Sequence, residues 1–256
     1  MKKLLFLGLV VLASLAGRAQ KDTIVLNSKN INIRALMPGV NRYLVYFKNG
    51  KDSSRIKYQF WTRKVDFISY RGRKAISIQQ EWEDNDTVFH TVSSICDGQT
   101  FAPLYQETWW KPAGAFSFDF IEQRAVVQNK PLSATDTSAA RKKVLSAFIA
   151  ATSQEVFNWH LDLEVFALLP FKENTTYAIN FYDPGLAAPQ VQYYTIAGSG
   201  MLNGYDNRSI ECWLLTHGAG SNSETFWISK KTKEVLKLEQ AFNGKYRYKV
   251  KLPFAS

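Results

Sequence analysis

Residues 225–252 read TFWISKKTKEVLKLEQAFNGKYRYKVKL, and their alternation decides the fold class. Tyr246, Tyr248, Val250 and Leu252 fall on one parity, and Arg247, Lys249 and Lys251 fall on the other. A period of two is the period of a β-strand, whose successive side chains point to opposite faces. The pattern predicts an apolar face turned to the core and a basic face turned to water. Asn243-Gly244, just upstream, suits the two positive-φ positions of a type I′ turn, the tightest hairpin connection. Before it Leu236 and Leu238 alternate with Lys237 and Glu239, and earlier still Phe226 and Ile228 flank Trp227. The polar run Ser229-Lys230-Lys231-Thr232-Lys233 makes the other turn. The stretch therefore reads as three antiparallel strands in a meander, its lysines placed on solvated positions rather than in a basic binding site.

The same texture extends outward. Tyr43, Val45 and Phe47 alternate before Asn49-Gly50, a second hairpin signal. Ile56, Tyr58 and Phe60 follow, then Ile76, Ile78 and Trp82, with a turn at Asn85-Asp86. Val88, His90 and Val92 lead to 104–110 and to Phe116, Phe118 and Phe120. Short strands at regular spacing joined by polar turns predict a large antiparallel meander, with residues 20–40 as a loose lead-in. The middle breaks the pattern. Residues 138–151 are Ala-rich, with Val144, Leu145, Phe148 and Ile149 at helical spacing. Thr152 with Glu155 forms a capping-box pattern that opens a second helix through Val156, Trp159, Leu163 and Phe166 to Pro170. With no long linker and no internal repeat, residues 20–256 read as one domain with a helical insert at about 137–169. A helical insert cannot bury its apolar face alone, so two central helices are expected on the concave face of one strongly curved sheet.

Lys2 and Lys3, an apolar run over residues 4–16 and the small residues of Gly17-Arg18-Ala19 make a signal peptide over residues 1–19. The run is shorter than the roughly 20 residues a membrane helix needs, and no Cys follows it to take a lipid anchor. No downstream segment is long and apolar enough to cross a membrane. The chain is thus expected in the periplasm, or beyond it as a secreted or surface protein. The formal charge of +10 falls to +7 once Lys2, Lys3 and Arg18 are removed. Outside the cytoplasm such a charge meets anionic lipid or polysaccharide, not nucleic acid. Cys96 and Cys212 both sit in strand-like text; an oxidising compartment permits a disulfide between them, and two buried free thiols fit equally well.

The text offers little for catalysis. Gly198-Ser199-Gly200 lacks the strand-turn-helix setting of a nucleophile elbow and reads as a flexible turn. His217-Gly218-Ala219-Gly220 reads as a loop. His90, His160 and His217 lack metalloprotease spacing, and two Cys without a nearby His lack zinc spacing. Asp119 with Glu122 and Asp162 with Glu164 read as solvated carboxylates. The expectation is a protein that is not an enzyme, with no metal and no cofactor. Trp109-Trp110 is more informative, because adjacent strand residues face opposite sides. Aromatics make up 14% of the chain, enough to line an apolar pocket for an acyl chain as well as a core. Strand parity and the helix face nominate Tyr58, Phe60, Trp82, Trp109, Phe118 and Trp159 as cavity residues.

Residues 96–104, CDGQTFAPL, resemble the D-x-x-T-L-x-P-L turn and strand of a family of exported bacterial proteins of unknown function, with Phe101 in place of the usual Leu. Leu168-Leu169-Pro170 is similar to that family's helix exit, and Trp227-Ile228-Ser229 with residues 236–239 to its last hairpin. The family is similar in fold to the lipoprotein carriers LolA and LolB, a curved antiparallel half-barrel whose apolar hollow takes acyl chains. The resemblance implies an envelope protein that binds or carries a lipid, a lipoprotein acyl chain or another hydrophobic molecule, and it carries over no catalytic residue. An interaction or structural protein of the envelope that binds a protein partner is the second expectation. A hydrolase, marked by a His beside a Ser or carboxylate in a cleft, is the third.

Overall fold

The computed structural model describes residues 22–254, and the expected signal peptide lies outside them. Among the described residues the chain is mostly β, one large curved open sheet with two α-helices. The N-terminal strands are β1 (Thr23–Val25), β2 (Gly39–Lys48), β3 (Ile56–Tyr70), β4 (Arg73–Asp84), β5 (Thr87–Asp97), β6 (Pro103–Trp110), β7 (Gly114–Asp119), β8 (Arg124–Val127) and β9 (Lys130–Pro131). Helix α1 (Ala139–Thr152), β10 (Phe157–Asn158), a 3-10 turn (Trp159–Leu161) and α2 (Asp162–Ala167) make the insert. The chain then returns as β11 (Thr176–Asp183), β12 (Ala187–Asn203), β13 (Ser209–Ala219), β14 (Asn222–Ser229), β15 (Val235–Phe242) and β16 (Lys245–Leu252).

Strand order runs β1-β11-β12-β13-β14-β15-β16-β2-β3-β4-β5-β6-β7-β8-β9, with β10 added beside β11. The two halves are joined by β16 against β2. All pairs are antiparallel except those that β1 and β10 make with β11. Although β7 and β11 stand far apart in this order, Phe118 of β7 and Tyr182 of β11 share one core cluster with Phe148 of α1. A sheet whose ends meet this way must curl round, as the right-handed twist of strands favours. Helix α1 packs along this seam, against β8 and β12.

The closing meander forms as its sequence predicts. Asn243 and Gly244 have φ of 49° and 78°, the two-residue turn expected between β15 and β16. Asn85, at φ 46°, likewise turns β4 into β5. The facing of β16 is the reverse of the expectation. Arg247 pairs with Phe47, Lys249 with Val45 and Lys251 with Tyr43, so the basic residues share the inner face of β2. Lys249 is 3% exposed. Alternation distinguishes two faces without saying which is inside, and here the apolar face has its own cover. Tyr248 stacks on Tyr46 at 5.0 Å, and Arg55 lies over the Tyr46 ring on the outside of the sheet.

The insert differs as well. Ser138, whose Oγ accepts a hydrogen bond from the Arg141 N–H, caps α1, and Thr152 is its last residue rather than the start of a second helix. Glu155 accepts instead from the Ser28 N–H. The chain beyond α1 forms a short strand, one 3-10 turn and a six-residue α2, not one long helix. This segment nonetheless fills much of the inner side of the sheet: Leu161, Leu163, Val165, Phe166, Leu168 and Leu169 are buried in the main core. The lead-in is also structural. Leu26 and Leu36 are buried in the same core, and β1 extends the sheet. Gly198-Ser199-Gly200 lies inside β12 at a bulge, not in a turn. A Cβ on Gly200 would come within 2.8 Å of the Trp227 ring, so the glycine is required by close approach.

Four inward polar side chains on β3 to β6 fix the insert in place. Arg63 Nε donates to Glu164 Oε1 at 3.0 Å, its Nη2 donates to the His160 carbonyl at 2.8 Å and to Glu164 Oε2, and its Nη1 lies 3.6 Å from Asp162. Gln80 donates to the same His160 carbonyl at 2.6 Å. Asn158 donates to Gln106 and, at 3.4 Å, to Ser94. Removing one member of a buried ion pair leaves the other charged and unsatisfied. Arg63→Met is therefore expected to cost about 3–5 kcal/mol in urea unfolding, and Arg63→Met with Glu164→Met to recover part of that loss.

Candidate functional site

Register places an aromatic row on the inner face. Trp61 of β3 pairs with Trp82 of β4, Trp82 with His90 of β5, and His90 with Trp110 of β6. Trp61 and Trp82 stack at 3.7 Å and 2°; His90 lies 4.3 Å from Trp82 and 3.7 Å from Trp110. The two tryptophan rings lie face to face, while His90 meets Trp82 edge-on and Trp110 at a tilt, the arrangement in which ring quadrupoles attract. The row continues as a cationic edge. Lys249 Nζ stands 4.4 Å above the Trp61 ring and the Arg247 guanidinium 5.9 Å from it. The ring's negative face attracts both cations.

Between this row and the insert lies a cavity of about 160 Å³, lined by Trp61, Arg63, Trp82, Trp110, Trp159, His160, Asp162, Asp183, Leu186, Arg247 and Lys249. Its charges are unevenly satisfied. Arg63 is held by Glu164 and Asp162. His160 Nε2 faces Asp183 Oδ1 at 3.4 Å, outside hydrogen-bond geometry, and both atoms are buried. Lys249 has no hydrogen bond or ion pair among the described residues, and Arg247 Nε is buried without a partner. Burial pushes Lys249 down to about 8, against the pull of Asp162. Burial, helped by the nearby His160, pushes His90 down to about 3. His90 Nδ1 donates to the Trp109 carbonyl at 2.9 Å, so in the neutral ring Nε2 is a bare, buried acceptor. Glu224 is raised by burial and accepts from Gln240 at 2.6 Å.

Trp110 and Leu186 also line a second, almost wholly apolar cleft of about 270 Å³, with Thr108, Pro112, Ala113, Phe116, Pro184 and Gly185. It sits where the two ends of the sheet meet. Gly185, at φ +86°, lets the β11–β12 turn pass over β7, where a Cβ would stand 3.3 Å from the Phe116 and Phe118 rings. Leu186, largely exposed, marks the mouth.

The six residues nominated from sequence separate. Trp82 and Trp159 line the inner cavity. Phe118 is fully buried, packed against Phe148 beneath the apolar cleft. Tyr58 and Phe60 lie exposed on the outer face, opposite in parity to Trp61. Trp109 also faces outward, into a polar surface groove with Lys64, Glu81 and Glu107, while its neighbour Trp110 is the inward one. Cys96 and Cys212 are both free and buried, in separate core clusters, so no disulfide joins them. Sequence reasoning missed Arg63, His160, Lys249 and the His90–His160 approach, at 5.5 Å between rings. It also took Asp162 and Glu164 as solvated, whereas Glu164 is buried on Arg63. The signal for Lys249 and Arg247 was present as alternation, assigned to the wrong face.

The motif at residues 97–104 is architectural. Asp97 Oδ1 accepts from the Gln99 and Thr100 N–H groups and from the Thr100 hydroxyl, closing the β5–β6 turn. Phe101 is buried there at φ +58°. Asp119 forms the equivalent turn with Ile121 and Glu122 and pairs with Arg71.

The chain belongs to DUF3108, a family described as protein of unknown function, whose profile matches residues 42–251. No curated protein matches it. Among solved structures it is similar to a β-barrel-like DUF1849 protein from Brucella abortus, at 9% identity over 85% of this chain and 98% of that one, with a TM-score of 0.41. It is similar also to a DUF1329 family protein from Desulfovibrio piger, at 9% identity, 85% of each chain and a TM-score of 0.28. A third is a domain described as outer membrane lipoprotein-sorting from Vibrio parahaemolyticus, at 10% identity over 83% and 82%, with a TM-score of 0.24.

A buried cation without a partner costs stability. Lys249 lies below its unfolded value near 10.4, so the folded state binds fewer protons than the unfolded state between about pH 8 and 10.4. Its penalty is full below that window and relieved as pH rises through it. Lys249→Met is expected to stabilise the fold by about 2 kcal/mol at pH 7, with the gain shrinking toward pH 10; urea midpoints at pH 7, 8.5 and 10 check this.

Proposed function

We propose that this protein is exported and binds or carries a lipid or other hydrophobic molecule in the cell envelope. The observation that carries the reading is the apolar cleft around Trp110, Phe116 and Leu186, which opens beside the inner aromatic row. Ligand sites are concave and mostly apolar, with few polar groups placed among them. A cleft of about 270 Å³ is near the lower end of such sites, because the insert fills the rest of the inner side. Its size suits part of an acyl chain or one small hydrophobic molecule. Burying apolar ligand surface there contributes about 25 cal/mol per Å² before ordering costs. The apolar leader text at residues 4–16 supports export.

Native mass spectrometry of the mature protein, purified gently from its own envelope fraction, tests this. A discrete lipid-sized adduct that organic extraction removes, and that Ala113→Trp prevents by filling the cleft, is the expected result. A clean apo mass that also ignores added lipid would move the reading to an envelope protein that binds a protein partner.

One observation favours a second reading. His160 faces Asp183 across 3.4 Å in a cavity, an acid–base pair of the kind hydrolases use. Among the described residues no Ser, Thr or Cys lines that cavity, so any hydrolysis would use water directly. Under the binding function, p-nitrophenyl esters of short and medium acids turn over no faster than in buffer. Turnover lost in His160→Gln would instead favour the hydrolase.

A further inference from the structure

We infer that the molecule held here is an amphiphile with an anionic head, a carboxylate or phosphate that seats on Lys249 and Arg247 while its chain runs past Trp110 into the apolar cleft. The inference rests on the binding function proposed above and specifies its ligand.

Three observations carry it. The two cavities share a wall: Trp110 and Leu186 belong to both, so a charged chamber and an apolar cleft adjoin. The chamber holds two cations that make no direct ion pair among the described residues, although Asp162 acts on both and Glu224 on Arg247 from further away. Among the described residues Lys249, nearly wholly buried, has its ammonium over the Trp61 ring and no hydrogen bond or ion pair, and Arg247 Nε is buried and unpartnered. The carboxylates nearby are engaged elsewhere: Glu164 and Asp162 on Arg63, Asp183 opposite His160, and Glu224 with Gln240 and raised by burial. A buried, unpaired cation is unfavourable for folding, and an anion entering the chamber would complete the pairing. Charge-assisted hydrogen bonds from Lys and Arg to carboxylate or phosphate are stronger than neutral ones. The aromatic row would cover the head against water.

Isothermal titration with three twelve-carbon probes below their micelle thresholds separates the possibilities: dodecanoate, dodecyl phosphate and dodecanol. Wild-type protein is expected to bind at least one anion ten-fold or more tighter than dodecanol. The ratio of dodecanoate to dodecyl phosphate distinguishes a fatty acid from a phosphate head. The double variant Arg247→Met with Lys249→Met, checked for native circular dichroism, is expected to lose that preference while keeping its affinity for dodecanol. Equal binding of all three probes, or a preference that survives in the double variant, would overturn the head assignment and leave the cleft standing. Failure of all three to bind wild-type protein would overturn the binding function itself. Loss of the anion preference in Lys249→Met alone would place the head on that lysine.

Discussion

The clamp of Arg63 on Glu164 and the His160 carbonyl is the constraint on which the rest depends. A curled sheet has an inner face that must be covered, and in this chain the covering segment is short. The insert after α1 offers one 3-10 turn and six residues of α2, too little helix to be stable alone. Its apolar side chains supply burial, but burial is non-directional. Direction comes from buried polar contacts, which hold only one register: Arg63 and Gln80 on one carbonyl, Ser94 and Gln106 on Asn158. That register sets where His160, Asp162 and Trp159 stand, and so defines the walls of the chamber.

The inner face is graded along the strands of the first half. One cross-strand row is Trp61, Trp82, His90 and Trp110; the next is Arg63, Gln80, Val92 and Thr108; the next is Val65, Ile78, Ser94 and Gln106. Aromatic and charged residues gather toward one end, and the apolar core toward the other. Cavities persist where the first row meets the seam of the sheet, because large flat rings and long charged side chains do not interdigitate as aliphatic ones do. The same composition makes the site amphipathic rather than greasy throughout.

Much of the architecture was legible in the sequence. Alternation and the Asn-Gly and Asn-Asp turns give the strands, and the interruption at about 137–169 gives the insert. The half-barrel form follows from those two facts and from the family resemblance. What the sequence could not supply was facing. On β16 the tyrosines and the cations alternate, and the ordinary preference for buried apolar side chains points to the wrong face. Only pairing with β2 decides it, a contact across the whole chain. Trp109 and Trp110 carry the same ambiguity, as do Tyr58 and Phe60. The capping-box pattern at Thr152 failed for a different reason: Ser138 had already started the helix, and local signals do not count turns. The candidate site was thus visible as residue types, while its membership depended on long-range register.

The pairing of β16 with β2 also bears on how the molecule comes together. Leu44 must wait for Val250, roughly 200 residues further along the chain, before its ladder is complete. Contacts so distant in sequence make for slow assembly, since loop closure must precede the contacts that reward it. Until the last strand arrives, β2 presents an open edge of unpaired backbone groups, the kind of edge that recruits foreign strands. The chain is therefore most vulnerable to aggregation until its C-terminal strands dock, and its final hairpin acts as the latch that ends that vulnerability.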